Sequence, residues 1–116
     1  MKTNVLFYLE QTTEKHPHKI ALDDGKSTLT FSTLQEQAKR IGAYLHNELG
    51  VTNKAVFVTV NRSIHPIVAF LGVLYSGNYY VPIDEKTPSL RLHQMIDKIK
   101  PSAMITMKNI EESHNF

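Results

Sequence analysis

Apolar positions recur along this chain in two rhythms, a helical one of three or four residues and short runs with almost no polar interruption, and their alternation predicts the elements. Val5, Leu6 and Leu9 share one side of a first short helix that Thr3 or Asn4 can cap. That helix must end near His16-Pro17, because the residue before a proline avoids helical geometry. Lys19 to Leu22 and Ser27 to Thr30 then flank Asp23-Asp24-Gly25-Lys26. Asp-Gly between two apolar runs predicts a hairpin, since glycine takes a positive φ at little cost. Ser32-Thr33-Leu34-Gln35 reads as a capping box, in which the Ser hydroxyl and the Gln amide each satisfy an unpaired backbone donor. Leu34, Ala38, Ile41, Leu45 and Leu49 follow at helical spacing, Gly50 stands where a left-handed cap is wanted, and Val51 is placed to fold back on the last turn.

From Ala55 to Val60 the chain is almost continuously apolar and β-branched, as a strand covered on both faces should be. Ser63 can cap a third helix that keeps Pro66 inside its first turn and runs through Ile67, Phe70, Leu71 and Leu74 to Gly77. That helix is apolar nearly all round, which predicts burial. Tyr79 to Ile83 reads as a strand in which Pro82 marks either a sheet edge or the end of ladder pairing. Thr87 and Pro88 then cap and open a fourth helix, with Leu92, Met95, Ile96 and Ile99 as its stripe and Pro101 beyond its end. Ser102 to Met107 supplies a last short strand. The final five elements form a βαβαβ run whose crossovers are long enough for parallel pairing. The fold class is therefore α/β: an open, mainly parallel sheet flanked by helices and preceded by a helix and a β-hairpin. No repeat or linker divides residues 1–107, which form one domain or one piece of a larger one, and residues 108–116, charged and without periodicity, are expected to be a flexible end.

Composition narrows the function classes. At 116 residues there is room for one modest domain, so a two-domain enzyme is excluded for this sequence. Thirteen Lys and Arg against eleven Asp and Glu leave a formal charge of +2, scattered along the chain, and the basic footprint that nucleic acid requires is missing. Without cysteine there is no disulfide, thiolate nucleophile or zinc–thiolate site, and a cytoplasmic location is the expectation. The longest apolar stretch, Ile67 to Tyr75, is far short of the about 20 residues a membrane span needs.

Candidate chemistry is sparse. Gly25-Lys26-Ser27 has the ending of a phosphate-cradling loop, but Ile20 stands where that loop needs its first glycine. Gly72 and Gly77 have the right separation, yet Asn78 replaces the lysine and the order is helix to strand, so packing and helix termination explain them better. No dinucleotide glycine pattern follows a strand. Histidines 16, 18, 46, 65, 93 and 114 include no metal-ligand spacing, and the pairs Asp23-Asp24 and Glu111-Glu112 read as solvated turn or tail residues. Tyr79 and Tyr80 point to opposite faces of their strand, one of them toward a helix. The residues by themselves describe an α/β layer without an active site.

Two stretches resemble signature motifs of the adenylate-forming, AMP-binding enzymes that activate carboxylic acids with ATP. Leu29-Thr30-Phe31-Ser32-Thr33-Leu34 is similar to Leu-Thr-Tyr-x-x-Leu, with Phe31 for Tyr. Leu74 to Asp84 is similar to Leu-Lys-Ala-Gly-x-x-Tyr-Val-Pro-Ile-Asp, with Tyr75 for Lys and Ser76 for Ala. Arg62-Ser63, Pro88 with Arg91-Leu92 and Met95, and Met104-Ile105-Thr106 follow in the family's order, so the resemblance covers residues 3–107. It is nearest to peptide-synthetase adenylation domains and D-alanine ligases for carrier proteins. What it implies is an N-terminal piece of the adenylation fold. The parent would use ATP and magnesium to form an acyl-adenylate and would then pass the acyl group to a phosphopantetheine carrier protein. The family's phosphate loop, ribose-binding acid and C-terminal lysine all lie downstream of these motifs. No catalytic, cofactor-binding or metal residue is therefore assigned here, and Arg62 is the one charged motif residue considered for ligand contact. The chain alone is expected to be inactive and to bind neither ATP nor magnesium tightly. The expected partners are the rest of the enzyme and its carrier protein, with no nucleic acid and no membrane. The third helix, from Ile64 to Gly77, would leave an apolar face open for self-association. A self-sufficient binding module and a fragment of an acyl-CoA synthetase are the alternative readings.

Overall fold

The structure, a computed structural model, describes residues 4–107. The elements are α1 (Asn4–Lys15), β1 (Ile20–Asp23), β2 (Thr28–Thr30), α2 (Phe31–Leu49), β3 (Ala55–Val60), α3 (His65–Tyr75), β4 (Tyr79–Asp84), α4 (Ser89–Ile99) and β5 (Ala103–Ile105). Their order is the expected one. β1 and β2 form the antiparallel hairpin, and β4, β3 and β5 form a separate parallel sheet in that order. The expected end segment, 108–116, lies outside the described residues.

β3 is the central strand, and Ala55 to Val58 are all buried on it. Side chains alternate across a strand, so Val56 and Val58 share one face. There they join the main core with Leu6 and Leu9 of α1, Leu34, Ala38, Ile41 and Leu45 of α2, and Val68, Ala69, Leu71 and Val73 of α3. Phe57 turns to the other face and is fully buried outside that cluster. This division matches right-handed crossovers, which send α3 and α4 to opposite faces of the sheet. Tyr79 donates its N–H to Lys54 on the β3 side, at 3.0 Å, so alternation along β4 turns the Pro82 nitrogen to the free edge. Proline costs no ladder bond there, and Pro82 marks an edge strand that continues pairing, opposite Val58.

α2 and α3 cross closely because glycine stands at the contact on each helix. A Cβ on Gly42 would come within 2.6 Å of the Tyr75 Cβ, and one on Gly72 within 2.6 Å of the Ile41 Cβ. The crossing covers α3: Pro66, Val68, Ala69, Leu71, Gly72 and Val73 are buried, and Ile67 is its only exposed large apolar residue. The expectation of an open apolar face on α3 is thus corrected. Exposed large apolar side chains lie instead on α1 (Val5, Phe7, Tyr8), at Tyr79, and at the two ends of α4 (Leu90, Ile99).

Helix starts differ from the local patterns in ways the structure explains. α2 is capped by Thr30, which ends β2 in extended geometry and accepts from the Thr33 N–H at 3.2 Å; Ser32 is already helical, and its N–H donates to the Pro17 carbonyl. α3 starts at His65 with Ile64 at the cap position, and Ser63 contributes only a 3.3 Å hydroxyl contact to the His65 N–H. At α4 the turn formed by Asp84 takes up Thr87, whose N–H donates to the Asp84 carbonyl, so Pro88 becomes the cap residue and no side chain caps the helix. The α4 stripe is also only half-buried at Leu92, Met95 and Ile96, and Ile99 is exposed. Val51, expected to fold back on the last turn of α2, is 37% exposed, and its carbonyl accepts from the Asn78 amide. The α2 stripe itself is buried from Leu34 to Leu45, with Gly50 in the left-handed region at φ 62°. Leu45→Ala is expected to cost about 2–5 kcal/mol of unfolding free energy in urea, the usual range for a buried leucine.

Candidate functional site

Open parallel sheets bind ligands beyond the carboxyl ends of their strands, where successive crossovers leave in opposite directions. In this chain that edge is built by the β3–α3 loop (Asn61 to Ile64), the turn after β4 and the tip of the β1–β2 hairpin. Asp24 ties the hairpin tip to the β3–α3 loop. Its Oδ1 accepts from the N–H groups of Lys26 (2.9 Å) and Ser27 (2.8 Å), and its Oδ2 accepts from the Ile64 N–H (3.0 Å) across the fold. Asn61 Oδ1 accepts from both the N–H and the hydroxyl of Ser63, at 3.0 and 2.6 Å. Asp84 Oδ1 accepts from the Lys86 N–H at 2.8 Å.

The N-terminus of an 11-residue helix would ordinarily attract an anion, but here the protein's own carboxylate already occupies that place. Hydrogen bonds from Lys26 and Ser27, with smaller help from Ile64 and the neighbouring His65, hold the Asp24 carboxyl below its ordinary value of 3.8. A depressed carboxylate stabilises the fold above its unfolded pKa, and the contribution disappears as pH falls through the lower folded value. Asp24→Asn should therefore lower stability at neutral pH and flatten its acid dependence below about pH 4, as read by urea midpoints against pH.

A second cluster lies in an open groove of about 490 Å³ between α1, α2 and α3, lined by Glu10, Lys39, Gly42, Ala43, His46 and Tyr75. The Tyr75 hydroxyl donates to Glu10 Oε2 at 3.1 Å, and Lys39 Nζ lies 6.0 Å from the centre of the phenol ring. Burial, then the charge and hydrogen bond of Glu10, push Tyr75 up to about 12. The phenol stays neutral at physiological pH, and its hydrogen bond joins α3 to α1.

The third cluster is the motif turn itself. Gly77 sits at φ 84°, and beside it Asn78 is buried with its Oδ1 accepting from the Lys54 N–H at 2.9 Å. The Asn78 amide donates to the Val51 carbonyl (3.2 Å) and the Ser76 hydroxyl (3.0 Å), and that hydroxyl donates to the Val73 carbonyl at 2.6 Å. These bonds fasten the α2–β3 loop to the α3–β4 turn. Tyr80 stacks on Phe70 of α3 with ring centres 4.2 Å apart, the packing against a helix expected of one of the two tyrosines, yet both Tyr80 and Tyr79 stay exposed.

Arg62 is exposed in the β3–α3 loop, outside the Asn61–Ser63 hydrogen bonds. His16, His18, His46 and His93 are exposed and His65 is half-buried; His114, Glu111 and Glu112 lie outside the described residues. Among the described residues no three metal-ligating side chains come together, and no helix is long and apolar enough to cross a membrane. Sequence reasoning missed Asp24 and Asn78. The Asx turn at Asp24-Gly25-Lys26-Ser27 could have flagged the first, but its bond to Ile64 spans 40 residues and leaves no local signal.

Residues 9–115 match the AMP-binding enzyme family. The chain belongs to that family. It is 31% identical over 116 residues to gramicidin S synthase 2 of Brevibacillus brevis, covering 98% of this chain and 3% of the synthase. It is 31% identical over 91 residues to the nonribosomal peptide synthetase kk1B of Curvularia clavata, covering 78% of this chain and 1% of that synthetase. Among solved structures, holo-AB3403, a four-domain nonribosomal peptide synthetase bound to AMP and glycine, superposes with a TM-score of 0.81 at 22% identity, over 90% of this chain and 8% of that one. The N-terminal subdomain of Klebsiella oxytoca NpsA superposes at 0.79 with 20% identity, over 91% of this chain and 28% of the subdomain. The family chain thus has the fold of the N-terminal adenylation subdomain, and it spans only a few hundredths of these curated relatives' length. Its two motifs form a cap, a turn and an edge strand.

Proposed function

We propose that this chain is the N-terminal scaffold of a cytoplasmic, ATP-dependent ligase that activates an amino acid and loads it onto a carrier protein, and that magnesium accompanies ATP in that parent enzyme. The family match across residues 9–115, together with relatives that are peptide synthetases, carries the reading. In this reading ATP and its metal are held mainly by other residues of the parent enzyme. Two observations support it: the Asp24 carboxylate accepts from the Ile64 N–H at the start of α3, and among the described residues no three metal-ligating side chains come together. The chain's contribution is to hold the layer on which the nucleotide site is completed by other residues.

Two measurements test this. The pure 116-residue chain should show no amino-acid-dependent ATP–pyrophosphate exchange, because charge stabilisation at a transferring phosphoryl group needs positioned donors, which this reading places on other residues of the parent. The gene should continue into a Ser/Thr/Gly-rich phosphate loop, and the longer product should catalyse the exchange. Exchange by the pure chain that survives contaminant controls would overturn the scaffold reading. A natural stop codon after Phe116, with a folded and inactive chain, would favour the binding module instead.

A further inference from the structure

We draw no further inference here: the strongest candidate, the open groove between α1, α2 and α3, sets Lys39 and His46 against the Glu10 carboxylate that already accepts the Tyr75 hydroxyl, and nothing in the structure selects the charge or shape of what would occupy it.

Discussion

Gly72→Val is expected to cost about 3 kcal/mol or more of unfolding free energy, the upper part of the overpacking range. Even the first carbon of the new side chain would lie 2.6 Å from the Ile41 Cβ, closer still to its Cγ2, and 3.2 Å from the Ala38 carbonyl oxygen. Two of those neighbours are a backbone oxygen and a Cβ carried directly by the α2 backbone, so no rotamer change relieves them and the helices must separate. Separation would uncover Ile41, Ala38 and Val73, which are buried in the common core. Replacing glycine inside a helix normally gains up to about 1 kcal/mol of propensity, too little to offset the clash. Gly72→Ala should lie between the two, and Ala43→Val, on the exposed side of the same crossing, should stay within about 0.5 kcal/mol of the parent. Urea unfolding measures all three. A Gly72→Val protein as stable as the parent would mean that α2 and α3 do not cross at this distance.

Phe57→Ala should remove about 3–5 kcal/mol, the range for a large aromatic truncated in a core. Phe57 is fully buried on the central strand, with Val81 and Met104 as its register partners on either side. Small domains keep only about 5–15 kcal/mol in total, so one such substitution removes a large share of it. The loss should appear as a lower urea midpoint with an unchanged slope. A midpoint unchanged by the substitution would place Phe57 at the surface and reverse the assignment of the two sheet faces.

The α2 cap shows how far local pattern reasoning reaches. Thr30-Phe31-Ser32-Thr33-Leu34-Gln35 contains two residues able to cap a helix at registers two positions apart, Thr30 toward Thr33 and Ser32 toward Gln35. Spacing cannot choose between them. The hairpin chooses, because β2 delivers Thr30 already extended, at φ −77° and ψ 165°, and the helix must begin at once. The same holds for α3. Its apolar circumference was legible and so was its burial, but the surface that buries it depends on two glycines 30 positions apart in the sequence, Gly42 and Gly72. Neither glycine has a local signature beyond a slight weakening of its helix.

Element order, the hairpin and its turn and the parallel βαβαβ run were determined by the sequence alone, which left Pro82 either at a sheet edge or at the end of ladder pairing. Each follows from residues within one turn or one strand of each other, and periodicity, glycine φ and proline's missing N–H act at that range. The family motifs were legible for the same reason, as contiguous turn and strand residues. Only the tertiary structure decided that Asp24 caps a helix 40 residues away, that Tyr75 joins Glu10 across 65, and that Asn78 satisfies three backbone and side-chain partners in the buried turn. These bonds form between groups that the chain brings together only after its core has closed. A buried polar group must find a partner wherever the packing places one, and that location is set by the fold rather than by the neighbouring letters.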